Sequence, residues 1–141
     1  RLWQSGGVLV SGMIWYDHVP GFSIDGDGSV LTNFGTLPTI ANNVADNYIL
    51  MIIDNGSYGS TGDQPTYTGK KTDLAGMARA AGCENVVEVQ DVDTGKALQE
   101  ALDGGKMTVM VVKCQSGNAK HPVITMDPVV IRDRFMKAVQ A

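Results

Sequence analysis

A three-layer α/β domain, doubly wound around a mostly parallel sheet, is the architecture that this sequence predicts, and three observations predict it. Tyr48-Ile49-Leu50-Met51-Ile52-Ile53 and Met107-Thr108-Val109-Met110-Val111-Val112 are almost uninterrupted apolar runs, the pattern of strands covered on both faces. The segments between strand-like runs space their apolar residues at three and four, as amphipathic helices do. Strand and helix signals alternate without hairpin turns between the long strands, which implies parallel strands joined by right-handed crossovers.

Taken in order, Phe22-Ser23-Ile24-Asp25 reads as a short buried strand. It stops at Gly26-Asp27-Gly28-Ser29, where two glycines allow a tight turn and a close backbone approach to an anion. Leu37, Ile40, Ala41 and Val44 then fall at i, i+3, i+4 and i+7, one apolar helical face. Pro38 suits only a first turn, so this helix is expected to start near Thr36 or Leu37 and to stop before Asp46-Asn47, with Asn42 and Asn43 turned away from the sheet. After the second strand, Tyr58 to Lys71 is a polar, glycine-bearing loop of a length that usually carries function.

The second half repeats the alternation. Thr72 or Asp73 caps a helix with Leu74, Met77, Ala78 and Ala81 on one face, ended by Gly82. Val86-Val87-Glu88-Val89 is a strand. Asp93 or Thr94 caps the next helix, whose inward residues are Ala97, Leu98, Ala101 and Leu102 and whose end is Gly104-Gly105. Beyond the last strand, Cys114 to Pro122 is an irregular connection, and Asp127-Pro128 opens a final helix, 128–141, carrying Val130, Ile131, Arg134, Phe135 and Ala138. Such a helix docks on its own domain or on a partner.

Composition bounds the function. The 141 residues make one domain, 1–141. With 43% hydrophobic and 18% charged residues it belongs with globular chains. A net charge of -4 and the lack of any Lys/Arg block argue against a nucleic-acid or anionic-membrane surface. No apolar run approaches the ~18 residues of a membrane helix. Cys83 and Cys114 have no metal-ligand spacing and read as reduced, mostly buried thiols of a cytoplasmic protein. His18 and His121 read as loop residues, and the methionines as packing.

The chemistry lies at two strand ends. Asp27 follows one strand, and Asp54 and Asn55 follow the next. Open parallel sheets bind ligands outside the carboxyl ends of their strands, so these oxygens converge on one site. Such hard donors suit Mg²⁺ or Ca²⁺, and Mg²⁺ is commonly held by one or two protein oxygens plus phosphates. The implied ligand is a metal-bound phosphate or diphosphate. No Gly-x-Gly-x-x-Gly opens a helix, which removes a Rossmann dinucleotide site from consideration.

Gly26-Asp27-Gly28, a spacer and Asn55 resemble the diphosphate-binding signature of thiamine diphosphate enzymes. The likeness continues through Asp54-Asn55-Gly56-Ser57-Tyr58-Gly59-Ser60-Thr61-Gly62-Asp63-Gln64-Pro65-Thr66, which is similar to the beta subunit of sulfopyruvate decarboxylases and less closely to phosphonopyruvate decarboxylases. It covers roughly residues 22–141. The resemblance implies the thiamine diphosphate-binding fold and thiamine diphosphate with Mg²⁺ as cofactors. Asp27, the Asn55 side chain and the Ser57 carbonyl would bind the metal, and Gly26, Gly28, Ser29 and Tyr58 would lie against the diphosphate. Tyr58, Ser60, Thr61 and Gln64 are further contacts to be expected from the loop, whereas Lys70 and Lys71 read as exposed.

In that family the activating glutamate belongs to a separate pyrimidine-binding domain. Glu84, Glu88 and Glu100 stand at a helix-strand junction, a strand and an exposed helix face. The expectation is therefore a hetero-oligomer, active on a small 2-oxoacid only with a pyrimidine-domain partner subunit. Residues 1–20 fit only an atypical or shortened, glycine-rich version of the family's opening, which would weaken cofactor binding. Three functions stand: decarboxylation of 3-sulfopyruvate to sulfoacetaldehyde, decarboxylation of phosphonopyruvate or another 2-oxoacid, and a non-catalytic remnant or assembly module of this fold.

Overall fold

A computed structural model describes residues 21–44, 46–117 and 127–140. Four parallel strands form its sheet: β1 (Gly21–Gly26), β2 (Tyr48–Asp54), β5 (Val86–Gln90) and β6 (Thr108–Lys113), in the spatial order β1-β2-β6-β5. The chain thus moves outward from β1 to β2, skips a place to reach β5, and returns to fill the gap with β6. A two-stranded antiparallel ribbon, β3 (Ser57–Tyr58) and β4 (Gln64–Pro65), stands apart at the carboxyl end of β2.

Helices cover the sheet on both sides, as the continuous apolar strands require. On one face α1 (Asp27–Thr32), α2 (Thr36–Asn43) and α3 (Leu74–Ala80) bury Val30, Leu37, Ile40, Leu74, Ala75 and Ala78 against Tyr48, Leu50, Ile52, Val109 and Val111. On the other, α4 (Thr94–Gly104) sets Ala97, Leu98 and Ala101 against Met51, Met110 and Val112. Alternate residues of β2 and β6 feed the two layers, the period of two that pleating imposes. The doubly wound three-layer α/β class is what the sequence predicts.

Element boundaries follow local chemistry. Asp73 caps α3 by accepting from the Gly76 N–H at 2.9 Å, and Gly82 takes φ +101 beyond its end. Gly105 closes α4 in the left-handed region, φ +57. Asp127 caps the last helix, α5 (Pro128–Val139), accepting from Val129 N–H at 2.9 Å.

Four expectations need correction. The Gly-Asp-Gly stretch is no mere turn: α1 begins at Asp27 and runs through Gly28, because burial of Val30 outweighs the helix cost of one glycine. β1 is not buried on both faces. Phe22 and Ile24 are 37% and 60% exposed, since among the described residues β1 is an edge strand and α4 packs on β2, β5 and β6 instead. The stretch from Tyr58 to Lys71 is not a plain loop but the β3–β4 ribbon and a 3-10 turn, Tyr67–Gly69. Leu102 stays 41% exposed, at the rim of α4. In α5 no residue is buried, and its apolar side chains, Phe135 at 61% among them, face outward. His18, His121 and residues 1–20 lie outside the described residues.

Candidate functional site

Register gathers the site. In the parallel pairing of β1 with β2, Asp25 stands beside Ile52 and Gly26 beside Ile53. Asp27, the residue after Gly26, and Asn55, the residue after the last of β2, therefore leave the same end of the sheet. Asp27 is the first residue of α1 and only 1% exposed. A carboxylate so buried needs donors or a cation. Two hydroxyls come from far along the chain: Thr66 Oγ1 donates to Oδ2 at 2.5 Å and Thr68 Oγ1 donates to the same oxygen at 2.8 Å. Both go to one oxygen, and among the described residues Oδ1 accepts no hydrogen bond.

The turn after β2 is equally specified. Asn55 Oδ1 accepts from the Ser57 N–H at 3.0 Å, an Asx turn. Between them Gly56 adopts φ +68, which an L side chain resists. The Gly56 carbonyl accepts from Thr66 N–H at 2.9 Å, so Thr66 ties the turn to Asp27. Ser57 is 7% exposed, and its hydroxyl donates to Asp63 Oδ1 at 2.5 Å.

Glycines make room at the other side. A Cβ on Gly28 would stand 2.4 Å from Tyr58 Cε1, so only glycine lets that ring lie there. Around Gly26 a Cβ would meet nothing within 4 Å, which leaves open space beside the backbone at the end of β1. Ser29 sits within α1, half-buried, its carbonyl accepting from Asn33 N–H at 3.3 Å. Thr61 and Gln64, expected to reach a ligand, hydrogen-bond each other within the ribbon at 3.0 Å. Ser60, Lys70 and Lys71 are exposed.

The donor set fits a hard cation. A carboxylate, a carboxamide and a peptide carbonyl at one sheet edge are the oxygen types Mg²⁺ takes. Among the described residues no three His, Cys, Asp or Glu side chains are grouped to hold a metal. A cation here would therefore draw on the Asn55 amide, the Ser57 carbonyl and the oxygens of its own ligand as well as on Asp27.

Beside this edge, Lys113 Nζ reaches Asp54 Oδ2 at 2.6 Å, with Glu88 at 4.0 Å. Burial pulls the Lys113 ammonium down, but the hydrogen bond and charge of Asp54, helped by Glu88 and Asp73, more than reverse it and raise its pKa above the ordinary lysine value. Cys114 follows, half-buried, its N–H on the Asp54 carbonyl at 3.0 Å. Burial first, and then the charges of Asp91, Asp54 and Asp27, push its thiol pKa up.

Sequence reasoning did not assign Thr66, Thr68, Asp63 or Lys113 to the site. Thr66 and Thr68 meet Asp27 across 39 and 41 residues, and no local pattern announces such a pairing. Lys113 left a fainter signal, a basic residue closing one apolar run where an acid closes another.

Residues 11–112 match the family model described as thiamine pyrophosphate enzyme, C-terminal TPP binding domain. Over 117 residues the chain is 43% identical to the sulfopyruvate decarboxylase subunit beta of Methanocaldococcus jannaschii, an alignment covering 83% of this chain and 62% of that one. The subunit of the same name from Methanococcus maripaludis is 37% identical over 118 residues, covering 84% and 63%. The phosphonopyruvate decarboxylase of Streptomyces viridochromogenes is 32% identical over 93 residues, covering 64% and 23%. The chain thus spans 62–63% of the length of the first two relatives.

Proposed function

The chain belongs to the family of thiamine pyrophosphate enzyme C-terminal, TPP-binding domains, and on that premise we propose that it is the diphosphate-binding part of a decarboxylase acting on 3-sulfopyruvate. The observation that carries this reading is the buried Asp27 carboxylate, which has one oxygen engaged by Thr66 and Thr68 and the other free of hydrogen bonds among the described residues. Its neighbour across the sheet edge is the Asn55–Ser57 turn.

When bound, thiamine diphosphate supplies the electron sink into which a 2-oxoacid loses CO₂. The chain's own residues bind and orient. Asp27, the Asn55 amide oxygen and the Ser57 carbonyl hold Mg²⁺, while Gly26, Gly28, Ser29 and Tyr58 line the diphosphate, the glycines letting backbone come close. The pyrimidine end, with its glutamate, is contributed by a partner subunit, so the working enzyme is a hetero-oligomer. The word subunit in the names of the first two relatives supports this. Cys83 and Cys114, both free thiols, suit a reducing compartment such as the cytoplasm. Among the described residues no helix is long and apolar enough to cross a membrane.

The relatives named for sulfopyruvate align with 117 or 118 residues of this chain, against 93 and 84 for the two named for phosphonopyruvate, whose identities are 32% and 38%, and that longer match supports the sulfonate substrate. A melting curve tests the cofactor site first. With Mg²⁺ and thiamine diphosphate at ~100 times the dissociation constant, the native state should gain about 2.7 kcal/mol, and Asp27→Ala should abolish the gain. A wild-type melt that ligand leaves unchanged, alone and with a pyrimidine-domain chain, overturns the reading. CO₂ release from 3-sulfopyruvate and from phosphonopyruvate by the reconstituted pair then separates the substrates.

A further inference from the structure

Asp63 is the one non-glycine among the described residues at positive φ, +59. Aspartate tolerates the left-handed region better than most residues, yet a conformation of this kind persists only where its surroundings enforce it. Here its carboxylate serves two segments at once. Ser57 Oγ donates to Oδ1 at 2.5 Å, and Ser116 Oγ, just past the end of β6, lies 3.3 Å from each carboxylate oxygen. The backbone is pinned as well, with Asp63 N–H donating to the Tyr58 carbonyl at 3.0 Å.

The target of this grip is informative. Ser57 is held from two sides: its N–H by Asn55 Oδ1 and its hydroxyl by Asp63. Those two anchors hold the N–H and the side chain of the residue, and so restrict the positions its carbonyl can take. A hydroxyl bonded to a carboxylate is also stronger than one bonded to a neutral acceptor.

We propose that Asp63 is a positioning residue for the cation site. It sets the Ser57 carbonyl toward the metal, adds a negative charge behind the ligands, and couples the segment after β6 to them through Ser116. The inference rests on the cofactor reading above. Asp63 acts through Ser57, to which its carboxylate is bonded, as outer-shell partners of metal ligands do, and losing such a partner costs about 10- to 100-fold in metal affinity.

The test is a Mn²⁺ titration of the full chain in the presence of thiamine diphosphate, read by electron paramagnetic resonance. Asp63→Gly removes the carboxylate at a φ that glycine favours, so the fold is retained, which an unchanged ligand-free melt verifies. Mn²⁺ affinity should fall ~10-fold or more. Asp63→Asn, which keeps an acceptor oxygen, should recover much of it. Ser57→Ala, which keeps the carbonyl, should weaken Mn²⁺ as Asp63→Gly does, and the double variant should be no worse than either. If wild type binds and Asp63→Gly binds within about twofold, or if the two losses add, the positioning role is overturned while the cofactor reading stands. A wild type that takes up no Mn²⁺ with thiamine diphosphate, both alone and with a pyrimidine-domain chain, overturns the cofactor reading and this inference with it.

Discussion

Lys113 and Asp54 are register partners on β6 and β2, and their charged ends meet at 2.6 Å beside the turn that carries Asn55. The Asp54 side chain is 3% exposed and the Lys113 side chain 31%. Removing the lysine leaves a buried carboxylate without its cation, so Lys113→Met should destabilise the chain by about 3 kcal/mol, the lower end for such pairs because the lysine is partly solvated. The pH dependence has a definite sign. The folded pKa of Lys113 lies above its ordinary value of about 10.5, so its contribution is complete below that pH and is lost as pH rises through the folded value. Urea titrations from pH 8 upward should show a constant gap between wild type and variant that closes only in strong alkali.

Gly28 is set by the ring that lies on it. A methyl there would meet Tyr58 Cε1 at 2.4 Å, and forced overpacking of this kind costs ~1–3 kcal/mol. Gly28→Ala should therefore lower the urea midpoint. Combined with Tyr58→Ala the same change should lose most of its effect, since the obstructing atoms are gone. A cost that persists in the double variant would assign the effect to helix geometry instead.

Thr66 is 1% exposed and spends its hydroxyl on Asp27. Thr66→Val keeps the shape and deletes the donor, which should cost ~1–3 kcal/mol in chemical denaturation. Thr68, half-buried and donating at 2.8 Å, should give a smaller loss on the same substitution. Equal losses would mean that burial does not decide the strength of the two bonds.

The thiols should differ in reactivity. Cys83 is 3% exposed, and burial raises its pKa, so alkylation under native conditions should proceed only through opening of the fold. Cys114 is partly accessible and should be modified first, though slowly at neutral pH because its pKa is raised too. Peptide mass mapping after brief iodoacetamide treatment reads the order directly.

What the sequence made legible was periodic or capped. The apolar runs of β2 and β6, the Asp73 and Asp127 caps and the glycine stops at Gly82 and Gly105 each act over a few residues. The two halves of the candidate site were readable because each closes a strand. What escaped was non-local or relative. The exposure of Phe22 and Ile24 depends on which neighbours a strand has, not on its own alternation. The contacts of Thr66 and Thr68 with Asp27 depend on a ribbon folding back over α1. Helix α1 was hidden by the very glycine that Tyr58 requires.

The spatial order β1-β2-β6-β5 has a bearing on biosynthesis. β5 pairs with β6 alone among the described strands, so it leaves the ribosome before that partner has been made. Until residue 113 has been made, β2 shows a hydrophobic edge, and β5 has an edge of its own, that no other described strand pairs. Unpaired edges of this sort recruit other chains. A nascent polypeptide released short of β6 is therefore a sticky intermediate, and β6, the last of the described strands to be made, is the wedge that joins β5 to β2.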